Sequence, residues 1–395
     1  MNPFQILLIV EIILVAVLVI GQRRIAFLSR NAIVVGVLVG FVIFHVRTDH
    51  SFTSMSHSII DVALAVVIYL AGVEVGWEAI SKHLGDVIFF GFAATLLSSA
   101  FTALLLVPFA QSSIYFVLLA AVSYIPTDPV LVFNQLGRIK LPDRVLTVIQ
   151  GESILNDPLV LLIYAQGLSL FQQSGVHGSP SSGRQLISGV VNFFLQIAVS
   201  LVLGALCFLF SRSELGTRTL KFISPIIAVA IYVGAEHFSF SPYLPLFILG
   251  LFSSVGFIKV VDLVSEASEI AVVVAVSSII PIDIFTTAPA YLIAVMVFVL
   301  SDLVFRPLLA MAYFKLSRRP VAEGATIGLL GLKGSLSLVV AADTYAIAHT
   351  KSERMIVAAV AIALSFSLLT KGELAARLVT RFAWLAGERP TNSDQ

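Results

Sequence analysis

The sequence has few charged residues and a single cysteine. Charged residues make up 12% of the 395 positions, whereas an ordinary soluble protein has roughly 25%. Hydrophobic residues make up 58%, so the chain is predicted to be a polytopic membrane protein. Because Cys207 has no second cysteine to pair with, an internal disulfide is excluded.

Motifs of several soluble enzyme and binding classes are also absent. The sequence contains no His-Glu-x-x-His zinc motif, no Walker phosphate loop and no Cys/His cluster with metal spacing. The net charge of +1 comes from charges scattered over loops and apolar stretches. No basic face therefore predicts binding to nucleic acid.

Hydropathy predicts an all-α protein with 13 membrane-spanning helices, each long enough to cross roughly 30 Å of hydrocarbon. The predicted spans lie near residues 3–20, 31–46, 58–76, 86–109, 113–136, 145–171, 186–210, 222–238, 243–257, 268–285, 288–314, 322–346 and 354–378. With the N-terminus outside, 18 of the 24 basic residues fall in inner loops or at the C-terminal end, Lys371 among the latter. This asymmetry supports an odd number of spans and a cytoplasmic C-terminus.

The longest polar loop, 172–184, lies near the middle of the chain. Six predicted spans precede it, and six follow the seventh span. Two six-helix halves around an odd linker have opposite orientations, which is typical of the inverted repeats of secondary transporters.

The fifth predicted span contains the tetrapeptide Pro126-Thr127-Asp128-Pro129. Each proline removes a backbone donor and disfavours helix at the residue before it, so the helix is expected to open. The Thr127 hydroxyl, the Asp128 carboxylate and the freed carbonyls are then predicted to be hard oxygen ligands for a cation. The alternative is a proline kink with Asp128 as a cap.

The sixth predicted span carries a second polar stretch, Glu152 to Asp157, just before Pro158. Ser153 and Asp157 are four residues apart and share one helix face, while Glu152 and Asn156 share another. Carboxylates inside a membrane require a cavity, a partner or an ion. We predict that Ser153 and Asp157 face the ion and that Glu152 faces a structural partner.

Lys333 is the candidate partner of Glu152, because a buried lysine must be neutral or paired. It lies in the twelfth predicted span among Gly328, Gly331 and Gly334. These glycines are predicted to interrupt that span at the position that matches the break in the fifth, a pattern that marks transport sites. The alternative is that Lys333 reaches the cytoplasmic interface.

Two further acidic residues have predicted roles. Asp302 and Arg306 are four residues apart with the acid first, which predicts a structural ion pair on one helix. Glu74, near the inner end of the third predicted span, is either an ion-access ligand or a solvated helix end.

Four stretches, taken together, resemble the sodium–proton antiporters of the cation–proton antiporter superfamily. They are Leu70-Ala-Gly-Val-Glu74, Thr127-Asp128-Pro129, Gly151-Glu-Ser-Ile-Leu-Asn156-Asp157 and Gly331-Leu-Lys-Gly-Ser-Leu-Ser-Leu338. The Asn-Asp pair resembles the electroneutral class, since the electrogenic class usually has two aspartates. Three features depart from the pattern: lysine instead of arginine at 333, proline at 158, and no proline-glycine signature in the second span.

The resemblance implies a single transporter domain over 1–395, with two crossed broken helices, elevator-like alternating access and a homodimer. The ion-translocating core would comprise 86–171 and 288–378, and the dimerisation side 1–85 and 222–285. The lipid bilayer would surround the protein in the cell membrane.

Carried over by motif, the resemblance also implies roles for individual residues. Asp157 and Asp128 would bind the transported cation, with Ser153 and Thr127 as further oxygen donors. Glu74 would serve as an access residue or ligand. Asn156 would lie beside the cation site, and Glu152 would pair with the base at 333.

The expected function is exchange of a monovalent cation for a proton, with Na⁺ in first place and Li⁺ or K⁺ as alternatives. A carboxylate cannot hold a proton and coordinate a metal cation equally well, so the two compete. Ion gradients supply the energy, so no cofactor and no enzymatic activity are expected. The rival functions are a cation channel and an intramembrane aspartyl protease with Asp128 and Asp157 as its dyad, although no Gly-x-Gly-Asp-like segment occurs.

Overall fold

The computed structural model describes residues 51–111, 113–128, 141–174, 183–238, 240–253 and 288–371, together with positions 374 and 377. Within these residues, all regular secondary structure is helical. The first, second and tenth predicted spans lie outside the described residues, as does Pro129.

In chain order the α-helices are α1 Ser51–Ser81, α2 Leu84–Ile88, α3 Thr95–Leu106, α4 Ile114–Ser123, α5 Asp143–Ser174, α6 Gly183–Ser211, α7 Glu214–Phe238, α8 Tyr243–Phe252, α9 Ala288–Val297, α10 Arg306–Leu316, α11 Val321–Leu330, α12 Ser335–Ala346 and α13 Lys351–Phe366. Segments of π-helix join α2 to α3 at Phe89–Ala94 and α9 to α10 at Phe298–Phe305, and another follows α13 at Ser367–Lys371.

Apolar length identifies the helices that can span a membrane. Hydrocarbon offers no water to backbone groups, so a spanning segment must satisfy them within its own helix. Among the described residues, Leu84–Phe109, Arg144–Gln172, Ile187–Ser211 and Ala288–Leu316 are long and apolar enough to cross. The chain is therefore a multi-pass membrane protein, and the regular secondary structure of its described residues is all helical. The count of 13 spans in two inverted repeats stays a prediction.

The described residues form two compact units. The first unit holds residues 51–78, 161–253 and 338–347, and the second holds 79–160, 288–337 and 348–371. The helices α1, α5 and α12 contribute residues to both.

In the first unit, α1, α6, α7 and α8 share an apolar core that contains Cys207. The approach of α1 to α8 depends on two glycines that face each other. A Cβ at Gly72 would overlap the carbonyl oxygen of Phe247, and a Cβ at Gly250 would overlap that of Tyr69. The Tyr69 hydroxyl meets the Ser224 hydroxyl of α7 at 2.8 Å, so the buried polar group is satisfied.

In the second unit, α11 packs closely along α10. A Cβ at Gly324 would lie 2.7 Å from the carbonyl oxygen of Ala310, and one at Gly328 would lie 2.5 Å from the Cα of Pro307. Gly328 is thus a packing residue inside α11 and does not belong to the break. Larger side chains at either position would push the two helices apart.

A cluster of charges ties together the ends of three helices of the second unit. Asp86, at the start of α2, is buried and accepts hydrogen bonds from Arg144 of α5 at 2.7 Å and from the Tyr313 hydroxyl of α10 at 2.9 Å. Arg319, just after α10, forms an ion pair with the same carboxylate. Two arginines on one buried carboxylate fix the relative positions of these helix ends.

The two interruptions predicted from proline and glycine are present. The helix α4 ends at Ser123, and residues 125–128 are not helical. The helix α11 ends at Leu330, and α12 begins only at Ser335. By contrast, α5 continues through Pro158 from Asp143 to Ser174.

The facing glycines of the first unit generate a stability prediction. We expect Gly250→Ala to lower the free energy of unfolding by about 1–3 kcal/mol, because the new methyl group meets a backbone carbonyl that cannot rotate away. Thermal unfolding in detergent measures the change.

The matched control is Gly234→Ala in α7, where a Cβ has no neighbour within 4 Å. Alanine there should be neutral or stabilising by roughly 0.5–1 kcal/mol, because glycine loses more conformational freedom than alanine when the helix forms. Equal shifts in the two variants would contradict close packing at Gly250.

Candidate cation-exchange site

The two helix breaks lie side by side in the second unit. Thr127 and Lys333 form an isolated antiparallel β-bridge. The backbone N–H of Asp128 donates to the carbonyl of Leu332 at 2.8 Å. The two non-helical segments therefore stabilise each other directly.

Side chains from other segments donate to the backbone carbonyls that the breaks leave without a helical partner. The Ile125 carbonyl accepts from Lys333 Nζ at 3.3 Å, and the Pro126 carbonyl accepts from Ser337 Oγ at 3.0 Å. The Thr127 carbonyl accepts from Ser153 Oγ. The Gly331 carbonyl accepts from Lys371 Nζ at 2.7 Å. The sequence predicted that freed carbonyls serve as open cation ligands. In the structure each of these four carbonyls has a donor within the protein, and their predicted role as cation ligands stays a prediction.

The helix α5 brings predicted cation ligands to the first break. Ser153 donates to the Thr127 carbonyl, and Asn156 Nδ2 donates to the Thr127 hydroxyl oxygen at 2.9 Å. All three residues are buried. The Oδ1 atom of Asn156 is also buried and has no hydrogen-bond partner in the described part of the chain. A small cation or a water molecule could satisfy that oxygen.

The two predicted carboxylate ligands lie on different segments. Asp128 is buried at the first break. A Cβ atom added at Gly334 would lie 2.7 Å from the Cβ of Asp128. Glycine at 334 is therefore required for Asp128 to approach the second break. Asp157 is half-buried and follows Ser153 by one turn on the same face of α5.

For Glu74 the structure describes the backbone only. It lies in α1, which belongs to the first unit at this position. Its side chain is outside the described residues, so its predicted role as an access residue or ligand stays a prediction.

The predicted ion pair between Glu152 and Lys333 is wrong. Glu152 instead forms a salt bridge with Arg306, whose guanidinium lies directly against Gly331. Lys333 forms its salt bridge with Asp302, with 3.4 Å between Nζ and Oδ1.

The predicted pair between Asp302 and Arg306 is wrong for a related reason. Asp302 lies in the π-helical segment Phe298–Phe305, which ends just before Arg306. The wider turn of a π-helix changes the direction of side chains relative to an α-helix, so spacing by four no longer aligns them. Arg306 is thereby directed to Glu152, and Asp302 to the two lysines.

Asp302 is the centre of a buried polar cluster that sequence reasoning missed. Its Oδ1 lies 3.1 Å from Lys371 Nζ, and its Oδ2 accepts from the Tyr124 hydroxyl at 3.1 Å and from Ser367 at 3.0 Å. Lys371 was assigned to the cytoplasmic end of the chain, but its side chain is fully buried. Its position inside the predicted span 354–378 was the available signal.

A cavity lies beside this cluster, within the second unit. Its charged and amide lining consists of Glu152, Asn156, Asp302, Arg306 and Lys333. The rest of the lining comprises the apolar residues Phe90, Ala94, Ile125 and Leu309 and the hydroxyl residues Thr95, Ser98 and Ser301.

Comparison with known proteins identifies the family. The model of the transmembrane sodium/hydrogen exchanger family matches residues 10–381. The chain belongs to this family. The predicted resemblance to sodium–proton antiporters is confirmed, and the family is one of transporters rather than enzymes.

A curated relative of this chain is an uncharacterized Na⁺/H⁺ antiporter of Schizosaccharomyces pombe. The two are 28% identical over 151 residues, which cover 36% of this chain and 26% of the relative. The match thus spans about a quarter of the relative's length.

Solved structures of the sodium proton antiporter MjNhaP1 from Methanocaldococcus jannaschii share the fold. The structure at pH 8 has a TM-score of 0.73 at 15% identity and covers 95% of this chain and 99% of the other. An electron-microscopy structure of the same protein gives 0.70 at 17% identity, with 97% and 99% covered.

The observed salt bridges generate a second prediction. Glu152→Gln leaves the buried guanidinium of Arg306 without its counter-charge, so we expect a loss on the order of 3–5 kcal/mol in the free energy of unfolding. Adding Arg306→Met should recover part of that loss, because no uncompensated charge then remains. Thermal unfolding in detergent provides the comparison.

The matched control adds Lys333→Met to Glu152→Gln instead. Because Lys333 is paired with Asp302, this second change should deepen the loss. Recovery by Lys333→Met but not by Arg306→Met would refute the observed pairing.

Proposed function

We propose that this exchanger moves a monovalent cation, Na⁺ in first place, against a proton across the membrane by alternating access. The observation that carries the proposal is the contact of Ser153 and Asn156 with Thr127, where two broken helices meet. Oxygen atoms from two separate segments thereby converge beside Asp128. The names of the S. pombe relative and of MjNhaP1 support the same substrates.

Competition for the carboxylates Asp128 and Asp157 couples the two ions. An ionised carboxylate is a hard oxygen ligand that suits a small cation, and protonation removes its charge and weakens that bond. A rise in proton concentration on one side therefore releases the cation there. Either occupant reduces the charge that must move through hydrocarbon when the site changes sides.

Thr127 and Ser153 complete the proposed ligand set. Their side chains are buried, so bulk water does not compete with them as ligands of the cation. Asn156 orients Thr127 by donating to its hydroxyl oxygen. An amide does not titrate, so Asn156 adds an oxygen without adding a second exchangeable proton.

The remaining assignments concern assembly and orientation. We propose a homodimer in the cell membrane, with the N-terminus outside and the C-terminus in the cytoplasm. The proposed core, 86–171 and 288–378, overlaps the site-bearing second unit, which supports that division. The side with 1–85 and 222–285 would carry the dimer contact. Large exposed apolar side chains along α6, among them Phe194 and Leu206, are suited to lipid.

The central test of this function is Asp157→Asn. The change keeps the size of the side chain but removes its charge and its titration, so we expect sodium-driven proton movement to fall to the level of empty vesicles. Proton flux in proteoliposomes, with Na⁺, Li⁺ and K⁺ added in turn, measures it.

Glu78→Gln removes an exposed carboxylate of α1 and serves as the control. It should exchange like the unmodified protein. Normal exchange by Asp157→Asn would remove this residue from the proposed site.

The proposed stoichiometry generates a separate prediction. If one monovalent cation is exchanged for one proton, no net charge moves in a cycle. A membrane potential, worth about 2.3 kcal/mol per charge per 100 mV, then has nothing to act on. Uptake of ²²Na⁺ should be the same with and without an imposed potassium-diffusion potential.

A channel would behave differently, since it would carry current down the sodium gradient without proton movement. Net current on a supported membrane, after correction for binding transients, would overturn electroneutral exchange. Uptake that accelerates with potential of one sign would do the same.

A further inference from the structure

We propose that Asp302 and Lys371 are positioning residues of the exchange site. In this arrangement Asp302 holds two lysine ammonium groups on the open carbonyl ends of the two broken helices. These two ammonium groups bind the carbonyls and hold the breaks in place. The transported cation is then bound by side-chain oxygens. The inference rests on the proposed function and assigns its site two further residues.

Both oxygen atoms of the Asp302 carboxylate have partners within the cluster. One carboxylate oxygen faces both ammonium groups, at 3.1 Å for Lys371 and 3.4 Å for Lys333. The other accepts from Tyr124 and Ser367. The exposed fractions of Asp302, Lys333 and Lys371 are 1%, 2% and 0%. Charges this deeply buried persist only when paired and hydrogen-bonded.

Each lysine also reaches a carbonyl at one break. Lys371 donates to Gly331, the first residue after α11, at 2.7 Å. Lys333 donates to Ile125, two residues after α4, at 3.3 Å. Its ammonium also lies 4.7 Å from the centre of the Tyr124 ring, which provides a cation–π contact.

The positions of these donors match the electrostatics of helix ends. The last carbonyls of a helix have no partner within it and carry the negative end of the helix dipole. Both α4 and α11 end inside the second unit at the breaks. An ammonium group at each end satisfies a carbonyl and offsets the dipole at the same time.

Backbone geometry provides an independent observation. Asp302 lies within one π-helical segment, while Ser367 and Lys371 are the first and last residues of another. A π-helical turn is rare, and it frequently occurs at functional sites. Here the two π-helical segments carry the carboxylate of Asp302 and two of the residues that contact it, Ser367 and Lys371.

The cluster connects to the proposed ligands through a short path. Lys371 holds Gly331, and the next carbonyl, that of Leu332, accepts from the N–H of Asp128. Two residues further, Gly334 lies against the Cβ of Asp128. Loss of the Lys371 contact therefore releases the segment that positions a proposed cation ligand.

The test is Lys371→Met, which keeps a long side chain but removes the ammonium. We expect the sodium KM for ²²Na⁺ uptake in proteoliposomes to rise about tenfold, while the maximal rate per folded protein changes less than threefold. The sodium concentration that half-maximally raises the melting temperature should rise by a similar factor. Asp302→Asn should have the same effect, since both lysines then lose their anchor.

A conservative variant and a double variant distinguish a positioning role of Lys371 from a general effect on stability. Lys371→Arg keeps the charge and the donors, so its KM should stay within about threefold of the unmodified protein. The double variant with Asp302→Asn and Lys371→Met should be no worse than the poorer single variant. Lys351→Met removes an exposed lysine from the start of α13 and should leave KM unchanged.

Several outcomes would overturn the inference. An unchanged KM in Lys371→Met would do so, as would equal losses in the Met and Arg variants, or independent losses that multiply in the double variant. If the unmodified protein shows no exchange and no sodium-dependent rise in melting temperature, the proposed function itself fails. If it shows both and Lys371→Met matches it, only the present inference fails.

Discussion

The site depends on one constraint, which is that a helix opened at membrane depth must receive donors for its freed carbonyls. In water the solvent would supply them, but hydrocarbon supplies none. In this protein, side chains supply them, with Ser153 and Ser337 as neutral donors and Lys333 and Lys371 as charged ones. The breaks can exist only because these side chains reach them.

Charged donors bring a second requirement, because each buried ammonium needs a counter-charge. Asp302 serves both lysines, and Glu152 serves Arg306. The groups reach one another only where backbones approach closely. Gly331 gives room to the guanidinium of Arg306, and Gly334 gives room to Asp128. Glycines that look like helix breakers in the sequence therefore also permit packing around buried charge.

The sequence was sufficient for features that depend on local chemistry. Proline at 126 and the glycines near 333 predicted both breaks, because they act on the backbone at their own positions. The helical repeat along α5 predicted that Ser153 and Asp157 share one face, and Ser153 on that face contacts Thr127 of the first break. That this face binds the ion stays a prediction.

The sequence was insufficient for features that depend on helix register across the second unit. The π-helical segment around Asp302 changes the facing of side chains, and no residue type marks such a segment. Spacing by four therefore predicted the wrong partner for Arg306, and Glu152 was assigned to Lys333 in its place. Lys371 was taken for a cytoplasmic residue because positive charge near a predicted span end usually lies there.

The two kinds of charge at the site have different consequences for transport. An ammonium group and a sodium ion can satisfy the same carbonyl oxygen, but the ammonium is covalently tethered and cannot leave. At Ile125 and Gly331 the structure has tethered cations, which cannot be exchanged for a transported ion. In the proposed mechanism, exchange takes place at the carboxylates Asp128 and Asp157, where proton and cation compete. In this proposal, fixed charge on lysine side chains holds the breaks in place, and exchangeable charge on carboxylates performs the transport.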